Sequence, residues 1–382
     1  MNNKEVMTLL REKEKRIKLK EYEGNFTSFA QEQIQIITKD TSKGFIPFDF
    51  NECQRRITDA LTEQQENTGM VRAIILKARQ QGISTYCAGR VFWKSYFSPH
   101  SRSVVMAHDS ATSDALFSMS KNLIRNMQGD LVPKEITSNA KEIKIQSPAY
   151  NDKDAIGSYR LYTAGSPEAG RGTTPTIAHL SEVAFWTHDE KILAGLFQGI
   201  SQAPGTEVIL ESTAKGAVAG ENEYLPIFLP WFITPEYRRT APEGMELTIE
   251  EDTLVENYGL DSDQLYWRRL KIAEGGKLKF QQEYPATADE AFIVSGANVF
   301  DIEKLNSLIP RPEQKRSDWD PSSKMFDDNR EGNLSIYDYP KWEEPYVIGA
   351  DVSLGVGQDY SAAIVMNNKY EIVAVYRNNR ID

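Results

Sequence analysis

The chain is predicted to be an α/β protein built on a largely parallel sheet, and three observations predict it. Short apolar runs rich in β-branched residues recur at residues 71–76, 103–107, 176–180 and 206–210. Segments of helical period lie between several of them, and this alternation gives parallel strands joined by crossover helices. Polar residues follow three of these runs directly, at 77–85, 181–182 and 211–216, so they fall at the strands' carboxyl ends, where open sheets of this kind bind ligands.

Composition sets outer limits. With 382 residues the chain is long enough for two or three domains, and its net charge of −11 restricts any DNA contact to a local patch or groove. No window approaches the roughly 18 consecutive apolar residues of a membrane span, and the N-terminus lacks the apolar core of a signal peptide. A cytosolic protein is therefore expected. The two cysteines, Cys53 and Cys87, have no metal-ligand spacing, and with four scattered histidines a zinc site is not expected; both read as small buried residues.

In chain order, residues 1–23 are dominated by Lys, Arg and Glu and read as a solvated helix. A second helix opens at Phe48-Asp-Phe-Asn-Glu-Cys and runs toward Gln65. It carries Gln54-Arg55-Arg56, and a Gln amide, which donates and accepts, suits the edge of an adenine ring. Next comes the apolar run 71–76, the segment Lys77-Ala-Arg-Gln-Gln-Gly-Ile-Ser84-Thr85, and a helix from about Tyr86 to Tyr96. Strand, loop and helix form the context of a phosphate-binding loop, in which backbone N–H groups and the helix N-terminus face the anion.

Against the G-x-x-x-x-G-K-[ST] pattern, Gly82 and Ser84 keep the last glycine and the Mg²⁺ hydroxyl, whereas Lys77 replaces the first glycine and Ile83 the phosphate lysine. The missing cation has two replacements to choose from, Lys77 and Arg79, and the sequence leaves both open. Gln80, Gln81, Ile83 and Thr85 complete the loop. An ordinary strand-to-helix turn is the alternative.

Residues 103–107 form a second strand, followed by a turn and an amphipathic helix to Met127; 143–146 and 159–164 are further strands. The last leads into a glycine-rich loop with a single cation, Arg171, which suits either a transition-state finger for a neighbour's ATP or a surface ion pair. Residues 176–180 end in Ser181-Glu182, with the serine in the Mg²⁺ position and Glu182 left to orient the attacking water. Residues 206–210 end in Glu211-Ser212-Thr213, whose polar groups are placed to sense a γ-phosphate.

Taken together in this order, the chain resembles the large subunit of tailed-bacteriophage terminases. The resemblance rests on Arg79-Gln-Gln-Gly-Ile-Ser-Thr, Val105-Met-Ala-His-Asp, Leu180-Ser-Glu-Val-Ala-Phe and Glu211-Ser-Thr-Ala-Lys-Gly. It continues through Ile227-Phe-Leu-Pro-Trp-Phe, Pro235-Glu-Tyr-Arg, Leu265-Tyr-Trp-Arg-Arg and Phe280-Gln-Gln-Glu-Tyr-Pro. The similarity runs from about Phe48 to the end, and the ordered set carries it rather than any single motif.

The resemblance implies a RecA-like, ASCE-type P-loop ATPase domain at 1–235 with an N-terminal helical extension, a small linker or lid subdomain at 236–300, and the first strands of a ribonuclease H-like nuclease at 301–382. Asp351, in Tyr346-Val-Ile-Gly-Ala-Asp, matches the first metal-binding carboxylate, for Mg²⁺ or Mn²⁺; Asp359 matches a Gly-Gln-Asp turn. The other family carboxylates would lie beyond Asp382, so this chain is expected to cleave DNA poorly or not at all.

It further implies ATP and Mg²⁺ as ligands, with double-stranded DNA, the terminase small subunit, the portal protein of the procapsid and a homo-oligomeric ring as partners, no membrane, and the host cytoplasm as location. Glu182, Arg79 and Arg171 are the expected catalytic residues. Gln54, Lys77, the loop from Arg79 to Thr85, Ser212 and Thr213 are expected to bind nucleotide, and Ser84 and Asp351 to bind metal. A helicase-like or DNA-repair ATPase and a catalytically decayed capsid-assembly scaffold are the competing readings.

Overall fold

The computed structural model describes residues 3–378 except 151, 153, 165–173, 187–188, 214–223, 294–311, 321–322, 330–331 and 353–359. It divides into two compact units, Met1–Ala297 and Asn298–Asp382. No helix among the described residues is long and apolar enough to cross a membrane.

The first unit begins with helices α1 (Asn3–Gly24) and α2 (Phe26–Gln33), a small antiparallel pair β1 (Gln35–Ile37) and β2 (Phe45–Pro47), and helix α3 (Glu52–Thr68). The main sheet then takes β3 (Val71–Lys77), β4 (Arg102–Ala107), β5 (Lys134–Ser138), β6 (Glu142–Gln146), β7 (Gly157–Thr163), β8 (Ile177–Ser181), β9 (Glu207–Ser212) and β10 (Leu225–Leu229). Between them lie α4 (Ile83–Phe97) after β3, α5 (Ser110–Arg125) after β4 and α6 (Asp189–Gly199) after β8.

The strand order is β10-β3-β9-β8-β4-β7-β6-β5. From β10 to β7 every pairing is parallel; β6 and β5 close the far edge antiparallel. This is the mainly parallel α/β sheet that the sequence predicts, and its order sets β3, which leads into the loop before α4, directly beside β9.

Burial follows the pleat. Val105 of β4 joins a core of Phe26, Phe48, Tyr86 and Phe92 on one face, whereas Val104 and Met106 join Leu180, Leu196 and Val208 on the other. Helix α4 is buried on most of its circumference, so it is a central layer rather than an amphipathic surface helix. Val6, Leu9, Leu10 and Ile17 of α1 are exposed, as a solvated helix requires, but its end is anchored: Tyr22 is fully buried and its carbonyl accepts from Trp93 Nε1 at 2.7 Å. Cys53 and Cys87 are buried free thiols.

At the opposite end of the sheet from the strand tips, Glu207 opens β9 inside the core. Its carboxylate receives Arg90 Nε at 2.8 Å and Nη2 at 3.0 Å, and Lys94 Nζ at 2.9 Å. Burial alone would raise its pKa; the two cations outweigh that and hold it below the ordinary carboxylate range. A folded pKa below the unfolded value of about 4.3 means the stabilisation is complete above that value and is lost as pH falls through the depressed one. Glu207→Gln should therefore cost about 3–5 kcal/mol at neutral pH, by leaving two buried cations underpaired. Denaturant unfolding between about pH 7 and 3 checks it. The variant should also lose less stability on acidification than the wild type.

After β10 the chain forms α7 (Ile249–Tyr258), α8 (Ser262–Gly275), α9 (Lys277–Glu283) and α10 (Ala288–Ile293). Their core is aromatic: Trp231 stacks on Trp267 at 5.2 Å, Trp267 on Tyr237 at 4.6 Å, and Phe280 meets both tryptophans edge-on. Ala78, directly after β3, is part of this cluster, which couples the helices to the loop before α4.

The second unit is a six-stranded antiparallel sheet of β11 (Lys315–Asp320), β12 (Met325–Asp328), β13 (Leu334–Ile336), β14 (Tyr346–Asp351), β15 (Ser361–Asn367) and β16 (Ile372–Asn378), in the order β12-β11-β13-β16-β15-β14. Asp351 is exposed at the end of edge strand β14, opposite Ala362.

Candidate nucleotide site

The loop between β3 and α4 is held from three sides. Gln81 is buried; its Oε1 accepts from the Ala78 amide at 3.0 Å, and its Nε2 donates to the Pro230 carbonyl at 3.0 Å and to Thr234 Oγ1 at 3.1 Å. From the start of α3, Asn51 Nδ2 donates to the Gln81 carbonyl at 3.0 Å and Gln54 Nε2 to the Gly82 carbonyl at 2.9 Å. The same Gln54 closes a capping box, its Oε1 accepting from the Asn51 amide at 3.0 Å. Gln54, expected from the sequence beside adenine, thus has both ends of its amide engaged, Nε2 with the loop and Oε1 with the N-cap of its own helix.

Gly82 lies at φ 78°, and a Cβ there would stand 2.9 Å from Gln54 Nε2, so both backbone and packing call for glycine. It is also the N-cap of α4 and gives the helix no side-chain cap. The first-turn N–H groups, at Ile83, Ser84 and Thr85, are left for an anion. Ile83 turns its side chain into the core, while Gln80, at φ 54°, is exposed.

The strand tips deliver the charged groups. Lys77, at the end of β3, has a side chain only 6% exposed and lies 3.1 Å from both Glu182 Oε1 and Glu211 Oε2. Burial pushes its pKa down, but the attraction of Glu211 and then Glu182 outweighs it and the net shift is up. Glu211 is fully buried. Its Oε1 accepts from Ser84 Oγ at 2.9 Å and Ser181 Oγ at 2.7 Å, with His179 Nε2 at 3.4 Å. Burial would raise its pKa; Lys77, His179 and Ser181 pull it well below the carboxylate range. Ser212 Oγ donates to Glu182 Oε2 at 3.4 Å, and the Thr213 amide approaches the same oxygen at 3.5 Å.

Arg79 faces elsewhere. Its guanidinium, on a side chain 58% exposed, pairs with Glu283 Oε2 at 2.9 Å, and its amide donates to the Glu283 carbonyl at 3.0 Å. Tyr237 Oη donates to its carbonyl. Arg171 lies outside the described residues, as does Asp359. Asp351 belongs to the second unit, and no group of three or more metal-ligating His, Cys, Asp or Glu side chains occurs among the described residues.

The structure therefore brings Lys77, Ser84, Glu182, Ser212 and Thr213 to one place. It adds Glu211, which the sequence places in a sensing motif without a charge role, together with His179 beside it, while Asn51 braces the loop from α3. The signal for Glu211 was an acid directly after Val208-Ile209-Leu210; the register that pairs it with Ser181 was not readable.

No protein-family model and no curated protein matches this chain. Among solved structures, it is similar to the large terminase ATPase domain of Thermus phage P74-26, at 14% identity and a TM-score of 0.42 over 63% of this chain and 94% of that one. It is similar to the HK97 bacteriophage large terminase at 12% identity and a TM-score of 0.46, over 92% of this chain and 66% of that one. A large terminase from a thermophilic bacteriophage, solved in complex with ADP, matches at 11% identity and a TM-score of 0.42, over 83% of this chain and 65% of its own. The chain thus spans just under two thirds of the length of the last two.

Proposed function

We propose that this chain is the large subunit of a tailed-phage terminase: an ATP-hydrolysing motor that moves double-stranded viral DNA into a procapsid. The observation that carries the ATPase part is the convergence of Lys77, Ser84, Glu182 and Glu211 beside an uncapped helix N-terminus. The ordered motifs support the packaging part. In this reading the loop 77–85 and α4 bind the triphosphate, Glu182 orients the attacking water, and Ser212 and Thr213 report the state of the γ-phosphate from β9. Arg171 serves a neighbour's nucleotide in a ring, and Gln54 acts on the adenine side through the loop that it braces.

Mg²⁺ fits the oxygen-only donor set at the site, the Ser84 hydroxyl with the Glu211 and Glu182 carboxylates, and when bound neutralises charge on the β- and γ-phosphates. Residues 236–300 act as the lid or linker. Residues 301–382 begin a metal-dependent endonuclease with Asp351 as its first carboxylate. DNA, the small subunit, the portal and further copies of the chain are the partners, in the host cytoplasm.

Steady-state ATP hydrolysis, with and without linear double-stranded DNA, tests the reading. Turnover is expected and should rise severalfold with DNA. Nucleotide binding with no turnover under either condition would instead favour the decayed scaffold, and strand separation on a forked duplex would favour a helicase.

A further inference from the structure

We infer that Glu211, on β9, is the carboxylate of the Mg²⁺ side of the triphosphate site, taking over from β8, which carries Ser181 where an acid is expected. The inference rests on the ATPase reading and deepens it, by dividing the two carboxylates of the site between the metal and the attacking water. Ser84 holds the place of the metal-binding hydroxyl in the loop, and the carboxylate in contact with it is Glu211 Oε1, at 2.9 Å. Ser181 and Glu211 are direct cross-strand partners, so an acid moved one strand over reaches the same end of the sheet. Strands are about 4.8 Å apart, and the longer reach of Glu relative to Asp offsets part of that shift.

Ser181 then has a different task. Its Oγ donates to Glu211 Oε1 at 2.7 Å and fixes the carboxylate against Ser84. Lys77, Glu182 and Glu211 together carry one ammonium against two carboxylates, an excess of negative charge that suits a divalent cation. The competing role for Glu211 is purely structural, as the buried counter-ion of Lys77.

Binding of a fluorescent, non-hydrolysable ATP analogue, measured in EDTA and again in Mg²⁺, separates the two roles. Mg²⁺ should tighten binding by about tenfold or more in the wild type. In Glu211→Gln, binding in EDTA should stay within about threefold of wild type while the Mg²⁺ enhancement disappears; Ser181→Asp on the Glu211→Gln background should restore part of it. The EPR spectrum of Mn²⁺ with the same analogue gives a second readout: its protein-bound signal should be lost in Glu211→Gln and recovered in the double variant.

An undiminished Mg²⁺ enhancement in Glu211→Gln would overturn the inference and leave Glu211 as a counter-ion. If Glu211→Gln does not fold, Glu211→Asp keeps the charge and withdraws the carboxylate by one methylene. It should lower the enhancement severalfold, and an unchanged enhancement would again overturn the inference. A wild-type chain that binds the analogue in neither condition would fail the ATPase reading itself, a result distinct from binding without metal dependence.

Discussion

Lys77→Ala is expected to reduce ATP turnover by at least about a hundredfold, while Arg79→Ala leaves it within about threefold. Both cations flank the loop, and the sequence has no means of choosing. Their surroundings differ. Lys77 is buried at the tip of β3 among the groups that face Ser84, so its charge acts at low effective dielectric on whatever anion enters. Arg79 is more than half exposed and tied through side chain and backbone to Glu283, so its charge is directed away from the groups around Ser84.

Removing Lys77 also leaves Glu182 and Glu211 facing each other without a cation, so its variant should be destabilised by about 3–5 kcal/mol. Analogue binding and thermal unfolding of the variant are therefore measured beside kcat. Normal hydrolysis by both variants would refute this account of the loop. Loss in Arg79→Ala alone would mean that the Arg79–Glu283 pair opens to place the arginine on phosphate.

How far the site is legible in the sequence depends on the range of the interactions that make it. The strand at 71–77 and the loop after it are local, and the apolar run and Gly82 announce them. The Asn51–Gln54 capping box is also local, an N-cap with a Gln three residues on, and it explains why Gln54 is turned to the loop. Glu211 is different. Its importance comes from β9 inserting between β3 and β8, a non-sequential order that no local pattern encodes. The short strands β1, β2 and β5 are too brief or too polar to stand out from their flanks. The edge strand β14 carries Asp351 in a legible apolar run, yet a metal site needs several ligands, and no group of three or more such side chains occurs among the described residues.

Glu182→Gly should separate stability from function at this site. Glu182 adopts φ 53°, a left-handed conformation that a non-glycine residue takes at a cost of about 1–2 kcal/mol. Its amide donates to the Glu211 carbonyl at 2.7 Å, which holds the turn, and its carboxylate lies between Lys77 and the Ser212 hydroxyl. In the proposed reading, a backbone so held would keep the carboxylate where the attacking water is to be polarised, so the strain would accompany a chemical requirement.

Glycine relieves the φ and leaves Lys77 paired with Glu211, so the thermal midpoint should hold or rise. Turnover should fall by about 10²–10⁴, the usual contribution of a positioned general base. Glu182→Gln keeps the left-handed turn and the shape of the side chain, and should lose as much turnover without the gain in stability. Analogue binding should persist in both. Retained turnover in Glu182→Gln would take the water-orienting role away from Glu182. A large drop in thermal midpoint for the glycine variant would show that the residue is there for its ion pair with Lys77 and not in spite of its backbone.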